Sequence, residues 1–434
     1  MYANYSTIDK FQGSGGKVSS KLRLNCRLCE SSNLEVVLKL KPTPPANSYI
    51  SADVAESSNQ ECFPLDVFFC KDCTHLQLLH IVDPEILYRH YVYVSGTSPV
   101  MRQHLYLYAQ EANSLCKLGK DEFIVEFGSN DGTLLQYFKD LGHRVLGVDP
   151  ARNLAKAATE SGITTLPEYF NEKVAREIAL NSGRAKLICA NHCCAHIDDF
   201  RGIIDGVKAL LDKSGVWIFE VGYLLDVYSK GLFDTIYHEH VDFHTVAPLA
   251  KCFKSHGLKI INVGRSTIQG GALRCFVGWE ETAPTIQGGM EAVQKLIHAE
   301  AAAGLNNCET FFNWNRAINQ TGSELKALLR GLKENGSTIV GYGAPAKATT
   351  LMYHFDLNKE DLEYIIDDNT LKQGLVTPGK HIPIVSGATL HKRKPDYILI
   401  LAWNFADSII EQNSDLRKTG VRFIVPLPNL RVIK

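Results

Sequence analysis

The spacing of apolar residues changes twice along this chain, and each change marks a new kind of element. Between about residue 22 and residue 80 the apolar runs are short, Leu34–Leu40, Leu65–Phe69 and Leu76–His80, with turn formers such as Pro42, Pro44 and Pro45 between them. Runs of this length predict strands, in a segment with little core of its own. From about 85 to 120 the pattern becomes helical. At Phe123 a different rhythm begins. Apolar strands are predicted at Phe123–Phe127, Val145–Val148, Leu187–Ala190 and Val216–Val221, and helices between them at Leu134–Leu141, Asn153–Ser161 and Ile203–Leu211. Continuously apolar strands alternating with helices predict a parallel sheet buried on both faces. A helical stretch rich in Ala, Glu, Gln and Lys runs from about 285 to 335. A second α/β unit follows, with strands at Ser337–Gly341, Leu362–Ile366 and Tyr397–Ala402 and a helix at Ala346–His354.

The predicted class is α/β, in four parts. A loose Gly- and Ser-rich tail spans 1–22, a small N-terminal module 23–84, a central Rossmann-like domain 85–282, and a second Rossmann-like α/β domain 283–434. Composition changes this picture little: 45% hydrophobic and 21% charged residues are those of a globular protein. The formal net charge of −1 offers no basic excess for nucleic acid or an anionic membrane. No run approaches the roughly 18 apolar residues of a membrane span. The opening Met-Tyr-Ala-Asn-Tyr-Ser has neither the basic nor the apolar region of a secretory signal, so a cytoplasmic location is expected.

In a reducing compartment scattered cysteines are small buried hydrophobes, but four of the 12 here are paired. Cys26-Arg-Leu-Cys29 and Cys70-Lys-Asp-Cys73 are two Cys-x-x-Cys knuckles, each placing two thiolates on one tight turn. Zinc in a structural site prefers such a closed tetrahedral sulfur set, and a small module with little core needs that kind of staple. A redox-active Cys-x-x-Cys would stand alone beside a βαβ pattern. A closed set of four predicts a structural metal and no catalytic one.

Two glycine turns follow predicted strands. In Glu126-Phe127-Gly128-Ser129-Asn130-Asp131-Gly132 a buried strand enters a turn and then a helix, and Asp149 ends the next strand. Glycines are needed where backbone must approach a ligand, and the trailing acid is placed for ribose hydroxyls. The spacing is that of S-adenosylmethionine (SAM) sites in class I methyltransferases, not Gly-x-Gly-x-x-Gly. The second turn, Gly341-Tyr342-Gly343-Ala344-Pro345-Ala346, does fit the dinucleotide pattern, with Asp367 and Asp368 about 20 residues on. It supports an alternative, an NAD-dependent oxidoreductase acting on a nucleotide sugar. Lys347 directly after the turn is suited to balance a phosphate, so a nucleotide diphosphate fits as well as NAD.

Phe233-Asp234-Thr235-Ile236-Tyr237-His238-Glu239-His240 gathers proton-handling side chains in consecutive positions. Adjacent residues point in different directions, which argues against a metal site; a plain surface loop is the bland alternative. A non-enzymatic zinc scaffold would leave this block unexplained.

The ordered set of both cysteine knuckles, Glu-Phe-Gly-Ser-Asn-Asp-Gly, Ala-Asn-His-Cys-Cys-Ala-His-Ile, Phe-Asp-Thr-Ile-Tyr-His-Glu-His, Gln-Gly-Gly-Ala-Leu-Arg and Gly-Tyr-Gly-Ala-Pro-Ala-Lys-Ala resembles the deoxysugar C-methyltransferases, from about residue 24 to the end. These act on nucleotide-linked 4-keto-6-deoxy sugars, typically at C3. The resemblance implies SAM and a structural zinc as cofactors, and a dTDP- or GDP-linked keto-sugar as substrate. It implies His240 as general base, with Tyr237, Glu239, His196 and Tyr91 as further catalytic positions. Glu126, Gly128, Asn130, Gly132, Asp149 and Asn191 would hold the cofactor; Tyr223, Gly343, Lys347 and Asn369 would hold the substrate; Cys26, Cys29, Cys70 and Cys73 would hold the metal. The chain departs from the family at Gln269-Gly270-Gly271, where His-Gly-Gly is common, and at Asn191-His192-Cys193-Cys194-Ala195-His196, where Asn-Val-Leu-Ala-His is common. The chemistry is coherent: a carbonyl acidifies the neighbouring C–H, a base removes the proton and donors stabilise the enolate oxygen.

Overall fold

The computed structural model describes residues 19–88 and 94–434. The continuously apolar runs become the middle of a seven-stranded sheet. Its order is Leu258–Ser266, Ala272–Trp279, Leu211–Gly222, Ala185–Asn191, Phe123–Phe127, Arg144–Val148, Thr165–Leu166. The last five of these are parallel, while Ala272–Trp279 runs antiparallel to both of its neighbours. In chain order this is 3-2-1-4-5-7-6 with strand 7 reversed, the sheet of class I methyltransferases. Strand order reverses between Phe123–Phe127 and Ala185–Asn191, so their carboxyl ends open a crevice for ligands. One face of the sheet packs Phe127, Trp217, Phe219, Phe200 and Phe253; the other packs Ile124, Leu135, Phe138 and Ile218.

The second α/β unit is a six-stranded sheet ordered Ile384–Val385, Ile365–Ile366, Ile339–Tyr342, Tyr397–Ile400, Arg422–Val425, Arg431–Ile433. Its first five strands are parallel and the last is antiparallel. This is the 3-2-1-4-5-6 order of a dinucleotide fold, with its switch point beside the glycine turn after Tyr342. The helical stretch before it is two helices, Gly289–Ala302 and Cys308–Glu334. The break falls at Gly304, which adopts a left-handed φ of 73°, and at the capping side chain of Asn307.

The N-terminal module is less self-contained than its predicted boundary. Three of its strands, Leu34–Leu38, Val67–Cys70 and Leu76–Leu78, make an antiparallel sheet whose fourth strand is Asp242–Phe243, directly after the Tyr-His-Glu-His block. A single apolar cluster then runs from Val37, Leu38 and Val67 through Phe233, Ile236 and Phe243 into Ile339, Leu351 and Ile398. The cysteine-knuckle module, the Tyr-His-Glu-His block and the C-terminal sheet therefore share one core. Among the described residues no helix is long and apolar enough to cross a membrane.

Candidate active site

The four knuckle cysteines converge as their spacing predicts. Cys26 Sγ lies 3.5 Å from Cys73 Sγ, and Cys29 Sγ lies 3.5 Å from Cys70 Sγ. All four sulfurs fall within 4.8 Å of one another. Four sulfurs about 2.3 Å from a tetrahedral zinc sit roughly 3.8 Å apart, so the donor set fits the ion.

At the crevice of the central sheet, Gly128 takes φ 65° and Gly132 φ 78°. A Cβ on Gly128 would lie 2.7 Å from the Cys193 side chain, so the turn is closed against the loop after Asn191. Asn130, itself left-handed at φ 52°, donates its N–H to Asp149 Oδ2 at 2.8 Å, while Asp149 Oδ1 accepts from Ala151 at 2.9 Å. Here Asp149 ties the glycine turn to the next strand. Glu126 and Asn191 end neighbouring strands and meet at 3.2 Å. Glu126 Oε2 and Asn191 Oδ1 are buried there without a partner. Burial pushes the Glu126 carboxyl well above its ordinary range. A buried carboxyl and amide oxygen left without partners suit a cationic ligand that would restore the carboxylate's charge, and SAM is such a ligand.

The block at 233–240 packs against the loop after Asn191, turned inward and not on the surface. His240 Nδ1 meets the Thr235 carbonyl at 2.7 Å. A carbonyl can only accept, so Nδ1 carries the proton and Nε2 is the basic nitrogen. Tyr237 Oη lies 3.2 Å from that Nε2 and donates to it. The His196 ring stacks on His240 at 5.2 Å between centroids, and Tyr88 stacks on His196 at 5.6 Å. Burial, only partly offset by the Thr235 bond, lowers the His240 pKa to about 4. Burial and the neighbouring His240 also push His196 well below its usual value. Both rings are therefore neutral near pH 7. The Val241 N–H donates to Ala195 O at 2.8 Å and locks the two histidine loops together.

Glu239 is buried and accepts from Asn47 Nδ2 at 2.7 Å, while its carbonyl accepts from Tyr88 at 3.1 Å. Asn47 and Tyr88 were missed in the sequence; they come from segments that only the fold brings to the block. Tyr91 lies outside the described residues. His238 faces away, toward the carbonyls of Phe63 and Pro64 at 3.2 Å each.

The residues expected to hold substrate do not all gather. Gly343 has φ 85°, and a Cβ there would lie 2.5 Å from that of Ala402, so this turn too is closed to any side chain. Asp367 is taken up by the turn itself, accepting from Ala344 N–H at 2.6 Å. Asn369 is exposed at the rim. Lys347 is drawn inward, with its ammonium 3.3 Å from Asp234 and 4.3 Å above the Trp403 ring. Trp403 Nε1 donates to the same carboxylate at 2.7 Å. Tyr223 is fully buried and donates to Glu300 at 2.8 Å, a carboxylate that also accepts from Val246 N–H at 2.7 Å. The structure gives Lys347 and Tyr223 packing partners in place of an open ligand face.

A class I methyltransferase sheet, a four-cysteine site that fits zinc and a crevice that fits SAM define a zinc-containing α/β methyltransferase. Three family models match along the chain: "Putative zinc binding domain" over 26–88, "Methyltransferase domain" over 101–263 and "C-methyltransferase C-terminal domain" over 267–428. The chain is 35% identical to the C-methyltransferase NovU of Streptomyces niveus over 408 residues, which is 94% of this chain and 96% of that protein. It belongs to this C-methyltransferase family and is a SAM-dependent, zinc-binding C-methyltransferase. Solved structures similar to it include the magnesium protoporphyrin IX methyltransferase of Synechocystis with bound S-adenosylhomocysteine, at 14% identity and TM-score 0.33, covering 42% of this chain and 87% of that one. A SAM-dependent methyltransferase of Anabaena variabilis is similar at 16% identity and TM-score 0.34, over 43% and 88% of the two chains. With the family shown, the glycine turn after Tyr342 belongs to a methyltransferase, and the oxidoreductase alternative falls.

Proposed function

We propose that this enzyme methylates a carbon next to the carbonyl of a nucleotide-linked 4-keto-6-deoxy sugar, C3 of the two carbons, C3 and C5, that a 4-carbonyl acidifies, with His240 as the base. The observation that carries the reading is the His240 ring. Its Nδ1 is committed to the Thr235 carbonyl, which leaves Nε2 as a neutral base beside Tyr237 and His196. In this reading Nε2 takes the proton, and the pair of electrons from the C–H bond moves onto the carbonyl oxygen. The Tyr237 hydroxyl, released from Nε2 as the sugar enters, donates to that oxygen, with His196 beside it. Glu239, held by Asn47, accepts from a sugar hydroxyl. SAM, when bound, supplies the methyl group, whose C–S bond breaks as the new C–C bond forms. The nucleotide rests on the backbone turn at Gly343 with Asn369 at its rim, as diphosphates do at such turns.

The test is mass spectrometry of the purified protein with SAM and a panel of dTDP- and GDP-linked 4-keto-6-deoxy sugars. A gain of one methyl on one sugar nucleotide is expected; no gain from folded, zinc-loaded protein would sink the substrate class. His240→Ala should retain SAM affinity and lose about 10²–10⁴ in turnover, the usual span for a removed base. Unchanged turnover would refute the base.

A further inference from the structure

Arg27 sits between the two cysteines of the first knuckle and is 0% exposed. A guanidinium cannot shed its charge, so its complete burial is costly unless every contact is well made. Its contacts reach beyond the zinc module. Nη1 donates to the Val241 carbonyl at 3.1 Å and lies 3.5 Å from Asp242 Oδ1. Nη2 lies 3.3 Å from Asp198 Oδ1. Nη1 and the backbone N–H of Arg27 both reach Gln77 Oε1, at 3.2 and 3.1 Å, on the strand that pairs with Asp242–Phe243.

The chain positions of these partners are what matter. Val241 and Asp242 directly follow His240, and Asp198 comes two residues after His196. One planar fork therefore grips both histidine loops from behind while its backbone belongs to a metal knuckle. Asp242 is held from the other side by His75 Nε2 at 2.6 Å, two residues past the second knuckle. Asp198 is held by Lys21 at 2.6 Å and Arg23 at 3.1 Å. A hydrophobic side chain could fill the same volume at lower desolvation cost; it could not fix two loops in register with a third. Lysine, a single point donor, could hold one loop at a time.

We infer that Arg27 is a positioning residue, which sets the His240 and His196 rings against each other by coupling the zinc knuckle to both of their loops. This rests on the reading of His240 as the base. The experiment is Arg27→Lys in the full chain, with Asp198→Asn as a second variant that cuts one arm from its partly exposed end. Zinc content and SAM affinity should stay within about twofold of the parent. The kcat should fall about tenfold or more with KM for the sugar nucleotide nearly constant, because displacement of a reacting group by even 1 Å is that damaging. The ring-nitrogen NMR signals of His240, in protein labelled at histidine, should shift in both variants; a purely structural role would leave them in place. If Arg27→Lys fails to fold, Asp198→Asn decides alone. A folded, zinc-loaded variant with parental kcat and unmoved His240 signals overturns the coupling. Loss of turnover in His240→Ala alongside active Arg27 and Asp198 variants rejects the coupling alone, whereas activity in His240→Ala rejects the base.

Discussion

At the scale of single residues the site depends on histidines kept neutral by burial. The His240 pKa is lowered to about 4, burial being the largest cause. A base with that value stays deprotonated as pH falls through the ordinary histidine range near 6.5. The acidic limb of kcat/KM for the free enzyme should accordingly bend at pH 4 to 5; a bend at about 6.5 would show that the ring is hydrated and the geometry wrong. Stability should follow the same groups. His238 and His244 are also lowered to about 4 by burial. On unfolding each returns to about 6.5, so the unfolded chain binds more protons between those values and acid favours it. Stability is complete above pH 6.5 and falls toward pH 4, by about 1.4 kcal/mol per unit of separation for each histidine, measurable as urea midpoints against pH. Gly128→Ala should cost about 1–3 kcal/mol and over tenfold in SAM affinity, because φ 65° and the Cys193 contact both exclude a methyl. Calorimetric titration with SAM checks it. These residues were legible because the block at 237–240 is contiguous and the glycines are spaced for a ligand. Asn47 and Tyr88 were not, since Asn47 meets Glu239 across 192 positions, and Tyr223 and Lys347 show that polarity in a motif does not say which way a side chain turns.

Elements were legible in proportion to how far burial alone sets their pattern. The strand Phe123–Phe127 is buried at every position and its predicted bounds match. The helix Glu172–Ser182 went unread although its signal was present, with Asn171 accepting from Val174 N–H at 3.0 Å as an N-cap and Val174, Ala175 and Ile178 on one buried face. The pair Leu258–Ser266 and Ala272–Trp279 was also missed; its second strand is central and almost wholly buried, so it lacks the alternation that marks a hairpin. Two-residue strands such as Asp242–Phe243 leave no period to read at all, and this one matters most. It puts the Tyr-His-Glu-His block beside the edge of the zinc module's sheet. Stripping zinc with a chelator should therefore lower Tm by roughly 5–10 °C and abolish turnover together, with both restored by added zinc. Thermal shift and activity measured on the same stripped sample check this, and turnover surviving metal loss would contradict the pairing.

At the scale of the molecule, the predicted partition at 84 and 282 follows the chain, but the packing does not. The apolar cluster containing the C-terminal sheet also contains Val37, Leu38, Leu65 and Val67 from the zinc module and Phe233 and Ile236 from the 233–240 block. Polar ties cross the same seam. Thr350 Oγ1 donates to the Ile236 carbonyl at 2.7 Å, Thr349 Oγ1 to the Ala46 carbonyl at 3.1 Å, and Tyr49 to the Ala344 carbonyl at 2.7 Å. Asp234 and Trp403 are buried there as well, with Lys347 half-buried against them. A domain that leaves its apolar face and its ion pair with partners elsewhere in the chain has no complete core when cut free. Residues 283–434 expressed alone should thus be insoluble or bind a hydrophobic dye, and the whole chain should melt without a separate C-terminal transition. A folded fragment with its own sharp calorimetric transition would refute this. The shared core has a counterpart in the proposed reading: the glycine turn at Gly343 and His240 sit on segments packed against each other, so a nucleotide held at the first would be placed relative to the second by the interior of the protein and not by a flexible linker.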